Sequence, residues 1–429
     1  MELAVFLGSL FTLLFTGLPI GIVLMACCMI LMYFIDMSDL SYQLSFQNVG
    51  GIDNYILLTV PFFILAGEIM KEGGISRQLI DFSRIIVGRF RGGMGYVTVL
   101  ACMLFAGLSG IAIADVSALG SMLVPMMVAS GYDKARATGL VCSASLTAPI
   151  IPPSLAFIVI GVAAELSIGR LFVMGIVPGI LLGISIMIAW FIIVRRDGYN
   201  DIHKVSLKEA LPITVKALPA VMLPIIIIVG IRMGYFTPTE GGAVACVYAF
   251  VVATLLNRQL KLSQMPDILF GAMKSTAVVM FVVGPACAVA WIISMADVPA
   301  EITSYMHAFT EHPVILLILI NLLLIAMGMV MDLVPIILIF SPVLFPLVIA
   351  AGIDPYYFAL IMTINLCIGL QTPPVGTVLF VGMTISKLKM GEVIRGISPF
   401  LIAEVAFLLL CLFVPQVITV PAAWFGYTS

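Results

Sequence analysis

Two stretches of this 429-residue chain carry the residue types that bind a small hard cation: TAPIIPPS at 147–154 and GLQTPPVG at 369–376. A proline inside a helix offers no N–H and displaces the carbonyl four residues earlier. Pro152 and Pro153 are expected to free the carbonyls of Ala148 and Pro149, and Pro373 and Pro374 those of Gly369 and Leu370. Carbonyls and hydroxyls at membrane depth are hard oxygen ligands of the kind that suits Na+. Each stretch follows a glycine-marked break: GLSGIAIAD at 107–115 and GMVMDLVP at 328–335. Gly107 and Ser109 therefore join Ala148 and Pro153 in a first candidate sodium site. Gly328 and Val330 join Gly369 and Pro374 in a second. Two proline kinks that only shape packing are the competing reading.

Asp115 and Asp332 are the acidic residues of the two breaks. An ionisable group at that depth is functional by default. Polarising a hydrogen-bond network at a substrate, attracting cations and coupling protons all stay open as roles, beside plain helix capping. Neither break, nor the interior of either Pro-Pro helix, contains Lys or Arg. An anion entering there must be balanced by bound Na+ and by helix N-termini. Cation binding then becomes a condition of anion binding, which is thermodynamic coupling.

The elements that hold these residues lie in lipid. The chain is 62% hydrophobic and 10% charged, with mean hydropathy +1.23; soluble domains have about 45–50% and about 25%. This excludes a soluble enzyme, a nucleic-acid binder and a disordered chain, and makes an all-α polytopic membrane protein the default. Net charge is −2, with no basic block for a nucleic acid. The eight cysteines lie in apolar runs and form no CxxC, so they read as packing residues. His203, His307 and His312 read as loop residues, against a zinc site, and no resident cofactor is called for. The N-terminal apolar run 3–34 lacks a basic flank and reads as a span, not a signal peptide.

Full spans are expected near 4–33, 53–71, 136–164, 170–194, 218–236, 239–256, 272–294, 356–384 and 397–416. Eighteen of the twenty Lys and Arg fall in 71–93, 131–136, 195–216, 256–274 and 385–396, which marks these as the inner side. The N-terminus is then cytoplasmic, 35–52 an outer loop and the C-terminus periplasmic. Segment 75–91 reads as an interfacial amphipathic helix and 204–217 as another.

Blocks 93–131 and 312–352 must each return to the side they entered from. The arm 93–106 would reach roughly 21 Å at 1.5 Å per residue, short of about 30 Å of hydrocarbon. Both blocks therefore read as re-entrant helical hairpins. They are related by a constant offset of 221: Gly107 with Gly328, Pro125 with Pro346, Gly131 with Gly352, Asp133 with Asp354 and Pro152-Pro153 with Pro373-Pro374. Matches concentrated on helix-breaking residues carry the signal. One hairpin opens inward and the other outward, so the copies are inverted repeats, the mark of a secondary transporter with a midplane site. The domain reading is a scaffold with amphipathic arm at 1–92, a first transport repeat at 93–164, scaffold at 165–271, a span and linker arm at 272–311, a second transport repeat at 312–384 and a final scaffold span at 385–429.

Taken together, VPFFILAGE at 60–68, LSG at 108–110, APIIPPS at 148–154, FTPTE at 236–240, GIDP at 352–355 and TPPVG at 372–376 resemble the large membrane subunit of tripartite ATP-independent periplasmic (TRAP) transporters, over essentially the whole chain. The resemblance implies Na+-coupled uptake of an organic acid across the bacterial inner membrane by an elevator-type movement, with a small four-helix membrane subunit and a periplasmic substrate-binding protein as partners. It adds Ile151 to the first sodium site and Thr372 to the second, and puts Asp115, Asp332 and Ser154 near the substrate. Many relatives read Ser-Gly-Ser at the first tip, where this chain has Ser109, Gly110 and Ile111, so Ile111 bears on substrate class. The two aspartates look more like the sugar-acid and sialic-acid branches than the C4-dicarboxylate branch. A stand-alone Na+/organic-anion symporter and a non-transporting membrane receptor or structural protein are the alternatives.

Overall fold

The computed structural model describes residues 2–14, 16–202, 206–296 and 313–424. Among these every regular element is helical. That follows from the solvent: with no water in the hydrocarbon, a segment must satisfy its own backbone hydrogen bonds. His203, His307, His312, Lys204 and most of the expected linker arm before 312 lie outside the described residues.

The first expected span, 4–33, is two helices. α1 (Glu2–Leu14) and α2 (Ile20–Phe34) are separated by a turn. Gly17 has φ 75° and Pro19 lacks a donor N–H, so the helix cannot continue. α2 folds back along α1. The expected outer loop 35–52 contains α3 (Ser41–Ile52), which meets α4 (Thr59–Glu72) across a bend of 51°.

α5 (Ile75–Val87) is the expected amphipathic arm, with Ile75, Leu79 and Ile80 buried and Arg77 exposed. α6 (Gly93–Ser109) and α7 (Ala112–Ala129) form the first hairpin. α8 (Lys134–Ser145) and α9 (Leu155–Ala163) are one helix interrupted at the first Pro-Pro pair. α10 (Ile168–Asp197), α11 (Leu207–Arg232), α12 (Pro238–Val251) and α13 (Met265–Met295) follow. The second interfacial helix expected over 204–217 is not separate: from Leu207 it is the first part of α11, which absorbs Pro212, Pro219 and Pro224 without ending.

The second copy is α14 (Pro313–Gly328), α15 (Leu333–Ala350), α16 (Pro355–Gly369) and α17 (Thr377–Ser386). α7 and α15 begin and end at positions 221 apart, and both Pro-Pro bonds are cis. The copies exchange partners: α7 packs on α17 and α15 on α9. α18 (Met390–Phe413) and a further helix, α19 (Gln416–Trp424), complete the described chain. Among the described residues seven helices are long and apolar enough to cross a membrane, and the bent α3–α4 pair adds an eighth.

Close backbone approach fixes α18 on α8. A Cβ on Gly139 would fall 2.4 Å from the Gly396 carbonyl carbon, and one on Gly396 2.0 Å from the Ala135 oxygen. In lipid, where helices gain little from hiding apolar surface, such small-residue contacts are a main source of association. At one end of α10, the Tyr132 hydroxyl donates to Asp201, whose other carboxylate oxygen accepts from the Met94 amide at 3.2 Å. Burial, then this bond to Asp201, raises the Tyr132 phenol above its usual range and keeps it a donor. At the other end Arg170 pairs with Asp354 at 3.7 Å and covers the Tyr356 ring at 3.9 Å.

Candidate functional site

Each hairpin tip lies on its Pro-Pro break. In the first copy the tip turns at Gly110, φ 64°. A Cβ there would fall 2.5 Å from the Pro153 carbonyl oxygen and 3.2 Å from the Ser154 Cα, so a side chain would hold the tip off the break. A Cβ on Gly107 would sit 3.4 Å from the Pro152 oxygen. In the second copy the contact is Gly328 on Gly369. Two backbone bonds stitch it, from the amides of Val375 and Gly376 to the Met329 carbonyl at 3.0 and 3.3 Å.

The carbonyls expected to be free divide. That of Ala148 accepts no hydrogen bond among the described residues, and neither does that of Ile151, which the resemblance adds to the first site. The Pro149 carbonyl accepts from the Ser154 hydroxyl. In the second copy the Gly369 carbonyl accepts from the Thr372 amide at 2.9 Å, and the Leu370 carbonyl from the Val378 amide at 3.0 Å. The expectation that the Pro149, Gly369 and Leu370 carbonyls stand free is therefore corrected: a donor later in the chain folds back on each. A carbonyl oxygen has two lone pairs, so each retains one position for a ligand. The Thr372 hydroxyl donates to the Ile368 carbonyl at 2.7 Å, which leaves its own oxygen open as an acceptor.

Exposure also differs between the copies. Ala148, Pro153 and Ser154 are buried, and Ile111 and Ile151 are half-buried. Val330 is 46% exposed, Pro374 is exposed and Thr372 is half-buried. Ser154, read as a substrate residue, is the N-cap of α9, accepting from the Phe157 amide at 3.3 Å while donating to Pro149.

The two aspartates are not equivalent. Asp115 is fully buried in the first turn of α7, where one carboxylate oxygen accepts from the Ser109 hydroxyl and the other has no partner among the described residues. Asp332 is the half-buried N-cap position of α15, beside the Leu333 amide and the Thr377 hydroxyl. The 221 register sets Asp332 opposite Ile111, the N-cap position of α7, not opposite Asp115.

Two polar groups escaped the reading of the sequence. Asn365 on α16 donates to the Asn321 side chain on α14 at 2.7 Å. Ser143 on α8 donates to Gln371 at 3.0 Å, and Gln371 donates to Glu404 on α18, which is fully buried. The signal was available: Asn321, Asn365 and Glu404 each stand alone in an apolar run, where a polar side chain needs a reason.

Comparison with known proteins bears on what this arrangement serves. The family described as "Tripartite ATP-independent periplasmic transporter, DctM component" matches residues 7–417. The chain is 43% identical to the 2,3-diketo-L-gulonate TRAP transporter large permease protein YiaN of Escherichia coli, over 99% of this chain and 100% of that protein. It is 40% identical to the C4-dicarboxylate TRAP transporter large permease protein DctM of Pseudomonas aeruginosa, over 87% and 88%. With the sialic acid TRAP transporter large permease protein SiaM of Vibrio cholerae the identity is 34%, over 98% and 99%. Among solved structures, the Alcanivorax borkumensis YdaH transporter has the same fold at a TM-score of 0.66 and 15% identity, over 90% of this chain and 89% of that one.

Proposed function

Since the chain belongs to the DctM component family of tripartite ATP-independent periplasmic transporters, we propose that it couples Na+ entry to the uptake of an organic acid, and that the acid is a sugar acid. One observation carries the sodium reading: in both copies a hairpin tip rests on a Pro-Pro break that presents carbonyl and hydroxyl oxygens, with no Lys or Arg in the hairpins or breaks. An anion meeting such a surface needs a cation beside it. The sugar-acid reading is supported by full-length similarity to a diketogulonate permease at higher identity than to the dicarboxylate and sialic-acid permeases. The partners we propose are a small four-helix membrane subunit and a periplasmic substrate-binding protein.

Movement follows from packing. The hairpins and interrupted helices form a body whose two halves exchange partners, α7 on α17 and α15 on α9. α18 is interlocked with α8, and α10 is tied to the first hairpin by Tyr132 and Asp201 and to α16 by Arg170 and Asp354. We therefore include α10 and α18 in the body that moves, and leave α1–α4 and α11–α13 as the scaffold. This redraws the sequence-based division, which counted 165–271 and 385–429 wholly as scaffold.

Location is the bacterial inner membrane. Because α1 and α2 fold back on one another, we propose that the chain has returned by residue 35 to the side on which it began, which puts the N-terminus on the periplasmic side with the C-terminus, in place of the cytoplasmic side read from the sequence.

The test is uptake of radiolabelled sugar acids into proteoliposomes holding the large and small subunits, with and without an imposed Na+ gradient and the binding protein. Uptake that requires both is expected. Uptake indifferent to Na+ overturns the coupling, and uptake indifferent to the binding protein favours a stand-alone symporter.

A further inference from the structure

Glu404 stands in the apolar run PFLIAEVAFLLL, 399–410, at the middle of α18, and none of it reaches solvent. One carboxylate oxygen accepts from the Gln371 amide nitrogen. The other is buried with no hydrogen-bond partner among the described residues. Gln371 is held at its far end, where its carbonyl oxygen accepts from the Ser143 hydroxyl at 3.0 Å. The carboxylate decides which end of the amide faces Glu404: as an acceptor it takes the nitrogen, and the Ser143 hydroxyl, able to donate or accept, then donates to the oxygen left over. A buried carboxylate with one amide donor costs several kcal/mol relative to an apolar residue of its size. A group retained there at such a cost has to be weighed by what it holds.

It holds the second break. Gln371 lies between Leu370 and Thr372, in the turn that offers the second cation its oxygens. The backbone bonds of residues 370–372 run along the chain, from Leu370 to Leu366, from Gln371 to Ile368, from Thr372 to Gly369 and from Val378 to Leu370; the hairpin tip holds the break only farther on, where Val375 and Gly376 donate to Met329. Within 370–372 the side chain that reaches other elements is that of Gln371, while the Thr372 hydroxyl bonds locally to Ile368. At the matching position of the first break, 221 residues earlier, stands Ile150, buried and apolar, which has no side chain able to make such a bond. Ser143, meanwhile, lies on α8 just ahead of the first break. One hydrogen-bonded chain thus begins beside the first break, passes through the second and ends on α18.

We infer that Gln371 and Glu404 are a positioning pair for the second cation site, holding residues 370–372 in the geometry that lets Thr372 and its neighbours take the ion. The inference rests on the sodium reading of the break. Its mechanism is steric and directional: without the pair residues 370–372 lose their side-chain hold on α8 and α18, the Met329 bonds secure only the far end of the break, and the oxygens lose their common focus.

The experiment uses the reconstituted complex, with two readouts for each variant: the half-saturating Na+ concentration for uptake, and the rise of the unfolding temperature with NaCl against choline chloride. Gln371→Ile, which installs the first copy's residue, and Glu404→Leu are each expected to raise half-saturating Na+ about tenfold, or about 1.4 kcal/mol. Substrate KM at saturating Na+ stays unchanged. Glu404→Gln, which keeps a hydrogen-bonding partner, stays within about twofold of wild type. Ser143→Ala, the mildest change, gives a smaller shift in the same direction and carries the test should the larger changes prevent folding. Folded variants whose Na+ curves superimpose on wild type overturn the inference, as does Glu404→Gln shifting as far as Glu404→Leu. A wild-type protein with no Na+ response in either readout overturns the sodium reading and the positioning role together.

Discussion

Gly328 and Gly369 meet backbone to backbone: a Cβ on Gly369 would lie 2.6 Å from the Gly328 Cα, and one on Gly328 3.0 Å from the Gly369 Cα. One is the end of the first hairpin arm and the other the end of the helix before the break. Their contact brings the tip within reach of the Thr372 turn. It needs two residues without side chains, 41 positions apart in sequence.

Gly369→Ala is accordingly expected to hold the tip off the break. Overpacking of this kind costs about 1–3 kcal/mol, and uptake should fall at least about tenfold. Gly271→Ala, where nothing lies within 4 Å of the added carbon, is the control and should transport as wild type. Proteoliposome uptake and thermal unfolding of both variants check this, and a normally active Gly369→Ala would show that the contact is dispensable.

Ser109 and Asp115 should behave as a coupled pair. Removing the hydroxyl leaves a buried carboxylate with neither oxygen satisfied, at about 1–3 kcal/mol. Asp115→Asn in the Ser109→Ala background should therefore cost less than it does in wild type. A double-mutant cycle by thermal or urea unfolding measures this, with a coupling of about 0.5–3 kcal/mol expected for groups in contact. Strict additivity would mean that the bond contributes nothing.

Asp332 and Asp115 should differ in function as they do in burial. Asp332→Asn, altering the more accessible carboxylate, is expected to raise the substrate KM about tenfold. Asp115→Asn should act mainly on stability and maximal rate. Initial rates at varied substrate separate the two, and wild-type kinetics from both variants would remove the aspartates from the mechanism.

The breaks should also differ in access. In a background with the eight native cysteines replaced, Val330→Cys, at a position 46% exposed, should react with a membrane-impermeant thiol reagent. Ala148→Cys, at a fully buried position, should be protected. Equal labelling rates would remove this asymmetry between the copies.

An N-terminal epitope tag in intact spheroplasts should be digested by external protease, if α1 and α2 bring the chain back by residue 35 to the side on which it began. Protection of the tag would restore a single crossing and a cytoplasmic N-terminus.

The sequence by itself determined the class of molecule, the two hairpins, the two interrupted helices and the offset between the copies. Each is a local consequence of chemistry along the chain. Too few charges rule out water as the main solvent, and Gly110, Pro152-Pro153 and Pro373-Pro374 interrupt a helix wherever it is folded. Gly17 and Pro19 carried the same signal, but the long apolar run from 3 to 34 concealed a turn between two short helices. Local chemistry also named Gly369 and Leu370 as free carbonyls, and tertiary structure overruled it, because Thr372 and Val378 fold back to donate to them. The partner exchange between copies, the different burial of Asp115 and Asp332 and the partners that join Glu404 to Gln371 and Ser143 could not be read locally; a lone Glu404 in an apolar run signals a need for partners but does not name them. They depend on which residues meet across hundreds of positions, and in a membrane that is decided by close backbone contacts such as Gly139 on Gly396, whose partners no single stretch of sequence specifies.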